Sequence, residues 1–176
     1  HKAGDLASRY TVEKFLDSVK GSEAENPISI IEEAVRYANL ALMDKAKESI
    51  DYEGMGTTLV VATFIDKSLY IANVGDSRLY IVNNEIQQIT RDHSLVEEMI
   101  NLGEMDRRNA RTHEKKNIIT RAIGVDSEVV ADFFEVEYSK GDIILMCSDG
   151  LSNMIEDEDM KMIINEGNDV SEIANK

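Results

Sequence analysis

The stretch ILMCSDGL, Ile144 to Leu151, runs four apolar side chains together and then halts at Ser148, Asp149 and Gly150. A β-strand bound for the interior should not end in a carboxylate without cause. Such a group is costly beside apolar strands unless it is hydrogen-bonded, paired with a cation or bound to a metal. LYIANVGDSR, Leu69 to Arg78, repeats the pattern, with an apolar run that closes on Gly75 and Asp76. For Asp76 the neighbouring Arg78 offers an ion pair. For Asp149 an Asx-type turn or helix cap is available, since Ser and Asp favour both. The alternative common to both is a hard divalent cation, which prefers oxygen ligands and keeps several waters, so that a few Asp residues suffice.

Working outward, TTLVVATFI (Thr57–Ile65) and SLYIANV (Ser68–Val74) are β-branched and aromatic, and Asp66-Lys67 between them reads as a tight hairpin. RLYIV (Arg78–Val82) and EIQQIT (Glu85–Thr90) form a second hairpin across Asn83-Asn84, residues that accept left-handed backbone. FFEVEY (Phe133–Tyr138) and DIILMCS (Asp142–Ser148) are two more strands, joined by Lys140-Gly141. Helices flank this block. Val12, Phe15, Leu16 and Val19 recur at helical spacing in Tyr10–Lys20, as do Ile31, Ala34, Val35, Ala38 and Leu42 in a helix that begins after Pro27 and runs to about Ser49. A further helix spans Ser94 to about Leu102 and ends at Gly103. Another begins near Asp157, with a partial one in Gly167–Lys176. Glu104–Lys116 is densely charged without apolar period and reads as a mobile loop or short irregular segment. Helices, then hairpins, then helices argue for an antiparallel α+β domain rather than βαβ units. Strands apolar on both faces, such as TTLVVA, argue that two sheets stack with helices outside them.

The chain has 176 residues, 43% hydrophobic and 30% charged, which fits one globular domain with a real core. Its net charge of −15 disfavours a nucleic-acid partner, because a phosphate backbone would be repelled and no basic stripe interleaves with aromatics. No apolar run approaches the ~20 residues that span a bilayer. The single cysteine, Cys147, excludes an internal disulfide and fits a reducing compartment such as the cytosol. It reads as a small buried hydrophobe rather than a nucleophile, with apolar neighbours and no nearby His in sequence.

MGTT (Met55–Thr58), VGDSRLY (Val74–Tyr80), ITRDHS (Ile89–Ser94), ITRAIG (Ile119–Gly124) and CSDGLS (Cys147–Ser152) occur in this order. Together they resemble the metal-dependent protein Ser/Thr phosphatases, the type 2C or PPM family, and within it the bacterial single-domain branch that opposes Ser/Thr kinases. HKAGDLAS (His1–Ser8) resembles the segment just after that family's Asp-Gly-Met-Gly-Gly motif. The resemblance implies an αββα sandwich over residues 1–176 as one domain. It further implies hydrolysis of phosphoserine and phosphothreonine in proteins by a water that Mn²⁺ or Mg²⁺ activates, with two and in bacterial members three ions. On this resemblance Asp149 is a ligand of the binuclear centre, and Asp76 joins it at the third metal. Residues 104–117 are then a flap beside the site. His113 in it is a candidate for substrate contact or proton transfer, with a solvated loop His as the plain alternative, and Asn117 is a flap candidate near the third metal. Asp92 and His93 are expected to cap the helix that begins at Ser94. Arg121 is expected to anchor flap or core rather than bind phosphate.

The family's N-terminal strand with its phosphate-binding Arg and Glu ligand, the metal-bridging Asp of Asp-Gly-Met-Gly-Gly, and the C-terminal Asp-Asn have no counterpart. A fragment, or a sequence with its ends left out, is therefore expected, with weak metal binding, negligible turnover by itself and unpaired sheet edges. The other implied properties are phosphoprotein partners, a cytoplasmic location and a monomeric state. A non-catalytic phosphatase-like binding or regulatory module is the alternative from another class.

Overall fold

A computed structural model describes residues 3–167 and 169–175. His1 and Lys2 of the opening motif therefore lie outside the described residues, as do Asn168 and Lys176 of the C-terminal partial helix. Helix α1 (Gly4–Gly21) begins earlier than its apolar period indicates, and it packs against α2 (Pro27–Ala46) through Ala7, Phe15, Ile31, Ala34 and Ala38. Asn26 caps α2: its Oδ1 accepts from Ile28 N–H at 2.9 Å and Ser29 N–H at 3.3 Å, and Pro27 occupies the first turn, where its missing donor costs nothing. α2 stops at Ala46, short of the expected Ser49, and a short 3₁₀ turn (Ile50–Tyr52) comes after it.

Six strands among the described residues then make two antiparallel sheets. Strands β1 (Leu59–Ile65), β2 (Ser68–Val74) and β5 (Asp132–Glu137) form one in the order β1-β2-β5; β3 (Arg78–Val82), β4 (Ile86–Gln88) and β6 (Ile143–Cys147) form the other as β4-β3-β6. The first hairpin turns at Asp66, whose φ is 53°. The second works differently from expectation. Val82 pairs with Ile86, and neither asparagine is left-handed; Asn83 Oδ1 instead accepts from Glu85 N–H at 3.0 Å, so the side chain substitutes for backbone in closing the turn. β5 and β6, joined by a short connection, do not pair with each other but belong to different sheets.

Strand alternation builds four layers. Ala72 and Val74 of β2 face the helices, together with Leu59 and Met55. Leu69 and Ile71 of the same strand face the other sheet, where Leu79 of β3 and Ile144 of β6 meet them. Tyr80 and Val82 of β3, with Leu145 and Cys147 of β6, point outward against Met160 and Ile164 of helix α6 (Asp157–Glu166). A helix-facing row, an inter-sheet row and a second helix-facing row make the αββα sandwich, and they explain why these strands are apolar on both faces. Helices α3 (Leu95–Asn101), α4 (Arg107–Ala110), α5 (Asp149–Ser152) and α7 (Val170–Ala174) are short. No helix among the described residues is long and apolar enough to cross a membrane.

Candidate active site

The register of β3 against β6 assembles the site. Arg78, which opens β3, pairs with Cys147, which closes β6. Asp76 precedes the one and Asp149 comes after the other by the same short step, so both carboxylates emerge at one edge of the sandwich. They line an open cleft of about 470 Å³. Asp76 sits on the crossover from one sheet to the other, Gly75-Asp76-Ser77. Gly75 has φ 107°, and a Cβ there would lie 2.4 Å from Thr58 Cγ2. Thr58 Oγ1 is 2.8 Å from Ser77 Oγ, so the MGTT segment is the floor on which the crossover rests. Asp149 opens α5 and is exposed, whereas Asp76 is half-buried.

Arg78 is not the partner of Asp76. It donates to Asp92 through Nε at 3.0 and 3.1 Å and through Nη2 at 2.7 Å, and to Tyr80 OH at 2.9 Å. This bidentate fork commits its charge elsewhere. Among the described residues, neither Asp76 nor Asp149 has an ion pair, and the hydrogen bond that the Asp76 carboxylate takes from its own backbone offsets its burial only in part. Burial, and after it the negative charge of Asp149, hold the Asp76 carboxyl above its usual range. Two carboxylates without an ion pair in one cleft are a donor set that fits a hard divalent cation whose other positions are filled by water. No cluster of three or more His, Cys, Asp or Glu with metal-binding geometry exists among the described residues. The pair thus fits part of one ion's shell rather than a complete binuclear cage.

Asp92 and His93 do not cap α3. Ser94 does, accepting from Glu97 N–H at 3.3 Å, while Asp92 is consumed by Arg78 and Gln88. His93 turns inward to Gly75. Arg121 is an anchor, donating to Asp132 Oδ1 at 2.7 Å and Val130 O at 2.8 Å. Cys147 lies partly buried, and burial pushes its thiol up, away from thiolate chemistry.

The charged segment is more ordered than its composition indicates. α4 forms one helical turn. Arg107 grips Glu97 through two bonds of 2.8 and 3.0 Å, and Arg111 ties to Glu156 and to Ser152 O, beside α5. Over residues 107–116, Arg107, Arg108, Arg111, Lys115 and Lys116 are opposed only by Glu114, so a strongly acidic chain carries a cationic strip at the cleft. Lys116 lines the cleft without an ion pair among the described residues. His113 does not line it; its Nδ1 accepts from Lys115 N–H at 3.2 Å. Asn117 is exposed, and its Oδ1 accepts from Nδ2 of Asn153, a cleft residue, at 3.5 Å. The arginine clamps are not legible in the sequence, although the helical spacing of Arg107 and Arg111 is, because their acidic partners lie on other elements.

A family model described as protein phosphatase 2C matches residues 1–172. The serine/threonine phosphatase stp of Listeria innocua is 38% identical over 179 aligned residues, covering 99% of this chain and 71% of that relative. The crystal structure of the serine/threonine phosphatase Stp1 from Staphylococcus aureus superposes with a TM-score of 0.93 at 33% identity, covering 99% of this chain and 70% of the other. The catalytic domain of the serine/threonine protein phosphatase PstP, solved with two manganese ions, gives a TM-score of 0.84 at 30% identity, with coverage of 99% and 73%. The fold and these relatives define the class, an αββα protein phosphatase. The chain belongs to the protein phosphatase 2C family.

Proposed function

We propose that this chain serves metal-dependent dephosphorylation of phosphoserine and phosphothreonine in proteins, opposing a bacterial Ser/Thr kinase. The observation that carries the proposal is the juxtaposition of Asp76 and Asp149, neither in an ion pair, in a cleft bordered by a cationic strip. Mn²⁺ or Mg²⁺, when bound, supplies an activated water for attack at phosphorus. Asp76 and Asp149 are the residues of this chain that would hold such ions. Lys116 offers acidic residues that flank the substrate phosphate a cation not spent on another residue, and Arg107 and Arg111 fix the strip to the cleft wall. Residues 104–117 are read as the flap of one phosphatase domain. His113 keeps the role of substrate contact or proton transfer only if the flap closes, because its present position is off the cleft wall. Asn117 reaches the cleft through Asn153. A cytoplasmic, monomeric enzyme without a nucleic-acid partner completes the reading.

Two carboxylates are too few for a two-ion centre. Residues 1–176 alone should therefore turn over negligibly, and the same observation supports a second reading, a non-catalytic binding or regulatory module. The test is phosphate release from a phosphothreonine peptide with Mn²⁺ and with EDTA, on the 176-residue chain and on any longer form that carries it. Metal-dependent turnover that Asp149→Asn abolishes supports the enzyme. Absence of turnover in every form, with phosphopeptide binding retained, supports the module.

A further inference from the structure

The crossover that carries Asp76 is held by a side chain outside the cleft. Gly75 is gripped at both backbone polar groups. Its N–H donates to His93 Nδ1 at 3.0 Å, and its carbonyl accepts from His93 N–H at 3.0 Å and from Asn73 Nδ2 at 3.2 Å. His93 itself is 6% exposed. A backbone N–H can only donate, so Nδ1 must be the bare nitrogen and the ring proton sits on Nε2. Nε2 lies 3.1 Å from Asp132 Oδ2, which accepts its hydrogen bond. Arg121 Nη1 is also 3.1 Å from Nε2, but two donors do not bond; the guanidinium is turned to Asp132 Oδ1 and Val130 O. Burial pushes the Asp132 carboxyl up, yet Arg121 and then His93 outweigh it and hold the group below its usual range, ionised and fit to accept. The backbone of His93 is fixed as well, since Thr120 N–H donates to its carbonyl at 2.9 Å. A relay of fixed contacts thus runs Arg121, Asp132, His93, Gly75, and ends one peptide from Asp76.

We propose that His93 is a positioning residue for Asp76. Its Nδ1, oriented by Asp132 and Arg121, fixes Gly75 and with it the direction from which the Asp76 carboxylate meets a divalent cation. The inference rests on the reading of Asp76 as a metal ligand. It is separated from simple core filling by two substitutions that divide the imidazole between them. In His93→Asn, Oδ1 stands where Nδ1 stood, so Gly75 keeps its acceptor and Asp132 loses its donor. In His93→Gln, the amide end reaches the place of Nε2, so Asp132 keeps a partner and Gly75 loses its own.

The experiment is calorimetric Mn²⁺ titration of the intact protein and both variants, with thermal unfolding in EDTA as the measure of stability. Outer-shell partners of metal sites are commonly worth 10–100-fold in affinity. The expected result is a fall of about tenfold in Mn²⁺ affinity for His93→Gln and of less than about threefold for His93→Asn, without a matching difference in unfolding temperature. Equal losses in the two variants, losses that track stability, or no loss in either overturn the proposal. Should His93→Gln not fold, Asp132→Ala frees the imidazole to change tautomer from a less buried position. Affinity should then fall several-fold and return in Asp132→Asn, which keeps an acceptor; wild-type affinity in Asp132→Ala overturns the proposal. Wild-type protein that binds no Mn²⁺ is a different failure, and sinks the metal reading of Asp76 beneath it.

Discussion

Gly75→Ala tests whether the crossover between the sheets is as tightly determined as its geometry indicates. Two costs can be separated. The first is conformational: φ of 107° is a region that L side chains rarely adopt, and holding a residue there costs about 1–3 kcal/mol. The second is steric. The new methyl would lie 2.4 Å from Thr58 Cγ2, 2.7 Å from Thr58 Cβ and 3.2 Å from Thr58 Cα. Thr58 heads into β1 and bonds Ser77, so it cannot simply swing aside, and overpacking of this kind costs about 1–3 kcal/mol. The sum is about 2–6 kcal/mol, against the roughly 5–15 kcal/mol by which domains are stable. At about 2–4 °C per kcal/mol for a chain of this size, the unfolding midpoint should fall by about 4–24 °C. Circular dichroism melting in EDTA measures this without metal linkage. Thr58→Ser in the Gly75→Ala background removes the nearest contact and should recover part of the loss, while the conformational cost remains. A midpoint within about 1 °C of wild type would refute the reasoning. It would mean that the crossover can relax, and that Asp76 is not placed by it.

Asp76→Asn should separate stability from metal binding. Because the folded-state pKa of Asp76 is raised, the folded form binds its proton more firmly than the unfolded chain does. Its charge therefore costs stability at pH above the folded value, a cost that disappears as pH falls toward the unfolded carboxyl range. In EDTA at neutral pH the substitution should raise the unfolding midpoint, and it should abolish stabilisation by Mn²⁺. An unchanged midpoint together with intact Mn²⁺ stabilisation would remove Asp76 from the site. In a longer form that turns over, Lys116→Ala should raise KM for a phosphopeptide with acidic flanks by about three- to tenfold, while leaving p-nitrophenyl phosphate nearly unaffected, and the difference should shrink in high salt. Equal effects on both substrates would assign Lys116 to general phosphate binding rather than to the peptide.

Much of this protein was determined locally. SLYIANV and RLYIV are β2 and β3 with the limits their composition indicates, because β-branched and aromatic runs bounded by turn residues leave few alternatives. The helical spacing of Ile31, Ala34, Val35, Ala38 and Leu42 marks the buried face of α2, and all of these are core residues. That apolar residues occupy both faces of several strands already required a cover on each side, and the four layers supply it. Asp76 and Asp149 were also legible, as carboxylates at the ends of apolar strands, although an ion pair for the one and a turn or cap for the other were open as local uses.

What sequence could not decide was partnership between distant segments. Two strands joined by Lys140-Gly141 can form a hairpin or turn a corner into another sheet, and the local chemistry of the turn permits either. Packing chose the corner, because Phe133 belongs against the helices while Leu145 belongs against α6. Adjacent Arg78 was the obvious partner for Asp76, yet it reaches Asp92 instead, since a side chain two residues along a strand is directed by the fold and not by proximity in the chain. His93, next to a helix start, turned away from it for the same reason. The composition and periodicity of each segment determined helices, strands and the presence of paired carboxylates. Only the β3–β6 register brought those carboxylates to one edge, because that register depends on how two hydrophobic faces, more than 60 residues apart, fit a common core.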